Sequence, residues 1–134
     1  MRPQLGVTGS FQLPGHRTDA RMLLDAADVF VLPSRQEGLP LAALEAMDLG
    51  LPVVGTDVLG TAEVVVHGET GGLVPLRDTR ALADALAELL AAPELRAHHG
   101  GAGRRRYLAD FTAKRMAADT FAVYEDVLRR LGSR

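Results

Sequence analysis

Short apolar runs alternate along this chain with longer stretches in which apolar residues recur every three or four positions. Residues 29–32 (Val-Phe-Val-Leu) form an unbroken apolar block stopped by Pro33, and residues 51–56 (Leu-Pro-Val-Val-Gly-Thr) form another. Blocks without polar alternation suit strands covered on both faces of a sheet. Residues 71–75 predict a brief last strand, and residues 6–9 a short first one followed by loop to His16. Helical periods lie between and after these runs. Thr18 or Asp19 can cap a helix running to about Ala27, with Met22, Leu23 and Ala26 on one stripe. A further helix is expected to end near Leu49, with Gly50 as its C-terminal stop. Residues 61–67 read as a short helix or turn. From Asp78 or Thr79 onward the pattern is helical: Leu82, Leu86, Leu89 and Leu90 mark one apolar stripe. Pro93 is expected to break that helix. A second segment runs to about Tyr107, and a third starts at Thr112 with Met116, Val123, Tyr124, Val127, Leu128 and Leu131 on one face. The stripes of these last helices are expected in the core. Gly100-Gly101-Ala102-Gly103 is expected to bend the chain between helices. Strand–helix alternation with fully covered strands predicts the α/β class with a parallel sheet.

The chain has 134 residues, enough for about one domain. A net charge of -2 gives no basis for a nucleic-acid or membrane surface driven by excess positive charge. The absence of cysteine excludes disulfides, Cys-ligated zinc and thiol catalysis. No apolar run approaches the ~18 residues of a membrane span, and the N-terminus lacks the apolar core of a signal peptide. A soluble, cytoplasmic location is the resulting expectation.

The chemistry concentrates in Pro33-Ser34-Arg35-Gln36-Glu37-Gly38-Leu39-Pro40-Leu41. In parallel α/β sheets, ligands bind outside the carboxyl ends of the strands, and this segment follows the strand at residues 29–32. Pro33, Gly38 and Pro40 force an irregular turn before the next helix. The N–H groups of Gly38, Leu39 and Leu41 then lie at a helix N-terminus, which attracts phosphate. Glu37 stands at the mouth of this site, and Glu45 stands one turn into the helix on a face that can look back at it. Carboxylates repel bare phosphate but accept hydrogen bonds from hydroxyls, so the pair suits a ligand with diols on both sides of a diphosphate, as in a nucleotide sugar. On spacing alone, two solvated acids on a helical surface are the simpler reading.

The longer string from Ala27 to Met47 resembles the donor-binding signature of the group 1 (family 4) retaining glycosyltransferases, with the E-x(7)-E element on Glu37 and Glu45. Residues 50–57, 60–65 and 68–75 resemble the next blocks of that family in the right order, and the likeness extends through Phe111-Thr112 and Tyr124. The resemblance implies the GT-B architecture, with this chain as an incomplete Rossmann-like C-terminal donor domain whose terminal helices begin near residue 79. It implies transfer of a hexosyl unit from a nucleotide sugar (a UDP-, GDP- or ADP-sugar) with retention. No cofactor and no metal is implied. Glu37 would act as the catalytic residue, contacting donor-sugar hydroxyls and stabilising positive charge near the reacting carbon. Glu45 would hold the ribose, the amides of Gly38, Leu39 and Leu41 would meet the sugar and diphosphate, Ser34 would lie within reach of phosphate, and the loop after Gly9 would lie beside the base.

The family's usual pattern has a glycine at Leu59 and a small residue at Asp48. The acceptor-binding N-terminal domain and the Arg and Lys that normally meet the diphosphate are not represented; Lys114 falls in the terminal helix, and nothing in the pattern makes Arg35 a substitute. An incomplete sheet would expose an edge and favour self-association. Ser34 reads equally as a turn residue, and Glu63 equally as a donor contact or a cap at Thr61. His16 reads as a loop residue, His67 as the close of a short helix, and His98-His99 as residues suited to a helix end. Arg104-Arg105-Arg106 reads as a solvated face. Two other functions stay open: a nucleotide-binding module or degenerate fragment without catalysis, and part of a GT-B nucleotide-sugar epimerase.

Overall fold

The computed structural model describes residue 6 and residues 9–132. Val7 and Thr8, the centre of the expected first strand, lie outside the described residues, and Gly6 and Gly9 sit in turns. Three strands, β1 (Phe30–Leu32), β2 (Val53–Thr56) and β3 (Gly71–Val74), form one parallel sheet in that order. Helix α1 (Ala20–Asp25) precedes β1, α2 (Leu41–Asp48) joins β1 to β2, and α3 (Leu59–Val64) joins β2 to β3. Helices α4 (Thr79–Ala91), α5 (Pro93–Asp110) and α6 (Ala113–Gly132) follow. The α/β, parallel-sheet class is therefore borne out.

The continuous apolar runs have a plain cause. Successive strand residues point to opposite faces, and both faces are covered. Val53 joins Ala43, Leu44, Ala46 and Met47 of α2 and Val64 of α3 in one cluster, with Phe30, Leu32 and Leu73 packed against it. Its neighbour Val54 faces the other way, toward Val74, Leu82, Leu86 and Leu89. The register sets Phe30 opposite Val53 and Val53 opposite Gly71.

Helix α2 ends as its sequence predicts. Gly50 takes φ 75°, donates to the Met47 carbonyl at 2.9 Å, and is followed by Leu51 N–H donating to Ala46 at 3.0 Å. This double bond pattern satisfies the last carbonyls, and a positive φ favours glycine there.

Several expectations are corrected. The glycines at 100–103 do not bend the chain: α5 runs unbroken from Pro93 to Asp110. They allow close approach, because a Cβ on Gly100 would sit 1.9 Å from the Gly50 carbonyl oxygen. His98 and His99 consequently lie within the helix, not at its end, and His99 is buried. The break precedes Pro93, which occupies the first turn of α5, where its missing N–H costs nothing. In α1 the packed residue is Leu24, while Met22 and Leu23 are exposed; the helix stops at Asp25, and Asp19 pairs with Arg17 instead of capping it. Helix α3 starts at Leu59, earlier than expected, and is over by Val64. Leu90 is exposed, and α6 buries none of its residues: Met116, Val123, Tyr124, Val127, Leu128 and Leu131 are all exposed, with Met116 and Val123 lining shallow grooves beside Leu39 and Phe111. Arg106 is half-buried and donates to the carbonyls of Val64 (3.0 Å) and Glu63 (2.8 Å), closing the end of α3 rather than belonging to a solvated face.

Candidate functional site

The segment after β1 crosses the carboxyl end of the sheet and turns into α2. Pro40, buried, holds the N-cap position, and no side chain caps the helix. The first helical bonds come from Ala43 (3.0 Å) and Leu44 (3.2 Å), both to the Pro40 carbonyl. The amides of Leu41 and Ala42 thus precede the ladder, as orphan donors at the positive end of the helix.

Neighbouring strand ends hold this turn in place. Gly60, at the start of α3, lies against it so closely that a Cβ there would be 2.1 Å from the Gly38 carbonyl oxygen and 2.6 Å from that of Glu37. The Thr56 hydroxyl at the end of β2 donates to the Ser34 carbonyl. The departure at Leu59 is harmless to this contact: its side chain is 79% exposed, and the close approach belongs to Gly60.

Glu37 is half-buried in the braced turn, beside Gly38. Glu45 is exposed and lines a groove of about 260 Å³ with Arg21, Leu39, Leu41, Asp48, Tyr107 and Phe111. The two glutamates share the start of α2, but Glu37 stands outside that groove. Asp48 is not a free charge. Arg21 donates to it at 2.8 Å, a bond that raises the guanidinium above its ordinary pKa and ties α1 to α2.

A second cleft, of about 220 Å³, opens at the same end of the sheet on its other face, lined by Pro33, Arg35, Thr56, Val74, Pro75, Leu76, Arg77, Asp78, Thr79 and Leu82. Sequence reasoning singled out neither Arg77 nor Thr56. Their signal was positional: each stands at or just after a strand's carboxyl end.

The remaining candidates separate. Gly9 and His16 are exposed. Ser34 is engaged through its backbone. Glu63 does not cap α3, whose N-cap is Val58. His67 lies beyond the helix it was expected to close; its Nδ1 accepts the Leu73 N–H at 3.0 Å and so fastens the turn to β3. Among the described residues, no group of three or more His, Asp or Glu side chains could hold a metal ion, and no helix is long and apolar enough to cross a membrane.

The fold is that of an α/β protein with a parallel sheet, and its open helix N-terminus lies at the strands' carboxyl ends, the place where such sheets bind ligands. The sequence profile described as Glycosyl transferases group 1 matches residues 1–92, and the chain belongs to that family. It is 36% identical over 115 residues to the N-acetyl-alpha-D-glucosaminyl L-malate synthase of Bacillus anthracis, covering 86% of this chain and 30% of that protein. It is 41% identical over 121 residues to the alpha-maltose-1-phosphate synthase of Mycolicibacterium smegmatis, covering 86% and 31%. Its fold superposes on sucrose-phosphate synthase from Thermosynechococcus elongatus with a TM-score of 0.88 at 31% identity, covering 96% of this chain and 33% of the other. The chain spans about a third of the length of these relatives.

Proposed function

We propose that this chain is the donor-binding portion of a glycosyltransferase that takes a hexosyl unit from a nucleotide sugar and passes it, with retention, to an acceptor hydroxyl. The observation that carries the reading is the uncapped start of α2, held directly after β1 by Gly60 and bracketed by Glu37 and Glu45. Amides at Gly38, Leu39 and Leu41 would receive the diphosphate and offset the charge of the departing nucleoside diphosphate. Glu37 would hold the donor sugar and stabilise positive charge at its anomeric carbon. Glu45, on the outer face of the helix, would hold the ribose. Ser34 would lie near phosphate, and the turn at Gly9 beside the base. Membership of the group 1 family supports sugar transfer; the nucleotide-sugar donor and the retention of configuration are what the resemblance of residues 27–47 to that family's donor-binding signature implies.

A second reading, a nucleotide-binding module without turnover, rests on the same open helix start, which can hold a diphosphate without any transfer. A thermal-shift panel of UDP, GDP, ADP and their sugars tests the first reading. One nucleotide should raise the melting temperature, and Glu45→Ala should abolish that rise. No response to any member of the panel would overturn the donor site. Turnover by the chain alone would overturn the second reading.

A further inference from the structure

We propose that the cleft between the end of β1 and the β3–α4 turn is a binding site for a phosphate-class anion, with Arg35 and Arg77 as its cationic walls. It lies at the carboxyl ends of all three strands, where crevices of parallel sheets take ligands. Pro33 and Arg35 come from behind β1, Thr56 from β2, and the chain from Val74 to Thr79 forms the opposite wall. At about 220 Å³ the cleft suits a charged group rather than an enclosed whole ligand.

Charge supplies the first argument. Among the described residues, seven arginines form ion pairs, each with an aspartate, and neither Arg35 nor Arg77 is among them. The single carboxylate on the wall, Asp78, is engaged: it accepts the Ala81 N–H at 2.8 Å as the cap of α4. Two guanidiniums against one occupied carboxylate leave an excess of positive charge, to which the N-terminal dipole of α4 adds. The guanidinium's flat fork matches phosphate oxygens.

Backbone conformation supplies the second argument. Arg77 has φ 66°, and it is the one non-glycine with positive φ among the described residues. Glycine would hold this turn without strain, whereas a side chain there is disfavoured. Strain kept at a residue lining a cleft points to a use for its side chain.

The source of the anion can be the diphosphate of the donor or the phosphate of a second ligand such as a phosphorylated sugar. Only the first rests on the donor-site reading given above. Melting temperatures are to be measured at constant ionic strength with inorganic pyrophosphate, a hexose 1-phosphate, and nucleotides. Pyrophosphate should raise the melting temperature of the unaltered chain beyond a chloride control. Arg35→Gln should lose that rise. Arg77→Gly should lose it while melting higher than the unaltered chain without anion, an opposition that a purely structural arginine cannot produce. Glu45→Ala should keep the pyrophosphate response even where it loses the nucleotide response, so the two readings fail separately. Competition between nucleotide and pyrophosphate would mark the donor's diphosphate; additive protection by nucleotide and hexose 1-phosphate would mark a separate phosphorylated ligand. A response equal to the chloride control, or one that survives in Arg77→Gly and Arg35→Gln together, overturns the site.

Discussion

Substituting Gly60 by alanine sets two effects of opposite sign against each other. Gly60 is the second residue of α3, and alanine in an exposed helix is favoured over glycine by about 1 kcal/mol. Propensity alone therefore predicts stabilisation. The new methyl group, however, would lie 2.1 Å from the Gly38 carbonyl oxygen and 2.6 Å from that of Glu37. Both neighbours are backbone, and neither can rotate away. The turn must retreat by roughly 1 Å to restore van der Waals contact, and overpacking of this kind costs about 1–3 kcal/mol. Steric cost exceeds propensity. The expected result is a lower melting temperature, by roughly 3–5 °C for each kcal/mol of net loss in a chain of this size. Because the retreating turn carries Glu37 and the start of α2, nucleotide-dependent stabilisation should fall as well. Differential scanning fluorimetry with and without nucleotide reads both quantities. Leu59→Ala is the control: its side chain is 79% exposed, and the change should stay within about 0.5 kcal/mol. A Gly60→Ala chain that melts higher and keeps its nucleotide response would refute the reasoning.

Met47, fully buried in the core beside Gly103 of α5, should be costly to truncate: Met47→Ala should lower urea-unfolding stability by about 2–5 kcal/mol, and a loss under 1 kcal/mol would mean that the core collapses to fill the space. The hydrogen bond from Arg17 holds the Asp19 carboxyl below the usual carboxylate range. Its contribution is present above the unfolded-state pKa and disappears as the pH falls through the lower folded-state value. NMR titration should place the Asp19 midpoint below that of an unpaired aspartate; Arg17→Ala should return it to normal, and the pair, lying at the surface, should leave the melting temperature nearly unchanged.

What the sequence discloses follows from how local each cause is. The valine-rich runs state their own burial, and Gly50 after a helical period states a helix end, because both signals are read within a few residues. The glycines of α5 mislead for the opposite reason. Glycine in a helical pattern ordinarily signals weakness, and here the partner that requires it, the Gly50 carbonyl, lies far away in sequence. Arg106 reads as one of three surface arginines until the end of α3 is seen beside it. The outward face of α6 carries the periodicity of a core stripe, and periodicity cannot say what covers it. Glu37 and Glu45 show the limit of spacing itself. Eight positions on a helix imply one face, but Glu37 precedes the first turn of α2, so helical geometry never relates the two. The order of the blocks is what carries the family resemblance, and the fold gives the two glutamates different surroundings.

The two ends of α2 are treated differently, and the contrast bears on function. At its C-terminus two backbone bonds satisfy the last carbonyls, and Gly50 is locked against Gly100. At its N-terminus no side chain accepts from the free amides. The same chain caps α4 with Asp78, so its sequence has the means to close a helix start. Its lining of Pro40, Gly38 and Gly60 instead fixes the position of the open end without consuming its donors. A cap at residue 40 would add about 1 kcal/mol and would also fill the place that an anionic ligand needs. Stability forgone at one helix end, while every surrounding contact holds that end in register, is the arrangement expected where a ligand completes the cap. A side chain restored there should therefore stabilise the empty chain and weaken nucleotide binding together: Pro40→Ser, whose neutral hydroxyl can cap the helix from a buried position, should melt higher and respond less. A variant that melts higher and responds as before would show that the free amides face nothing the ligand uses.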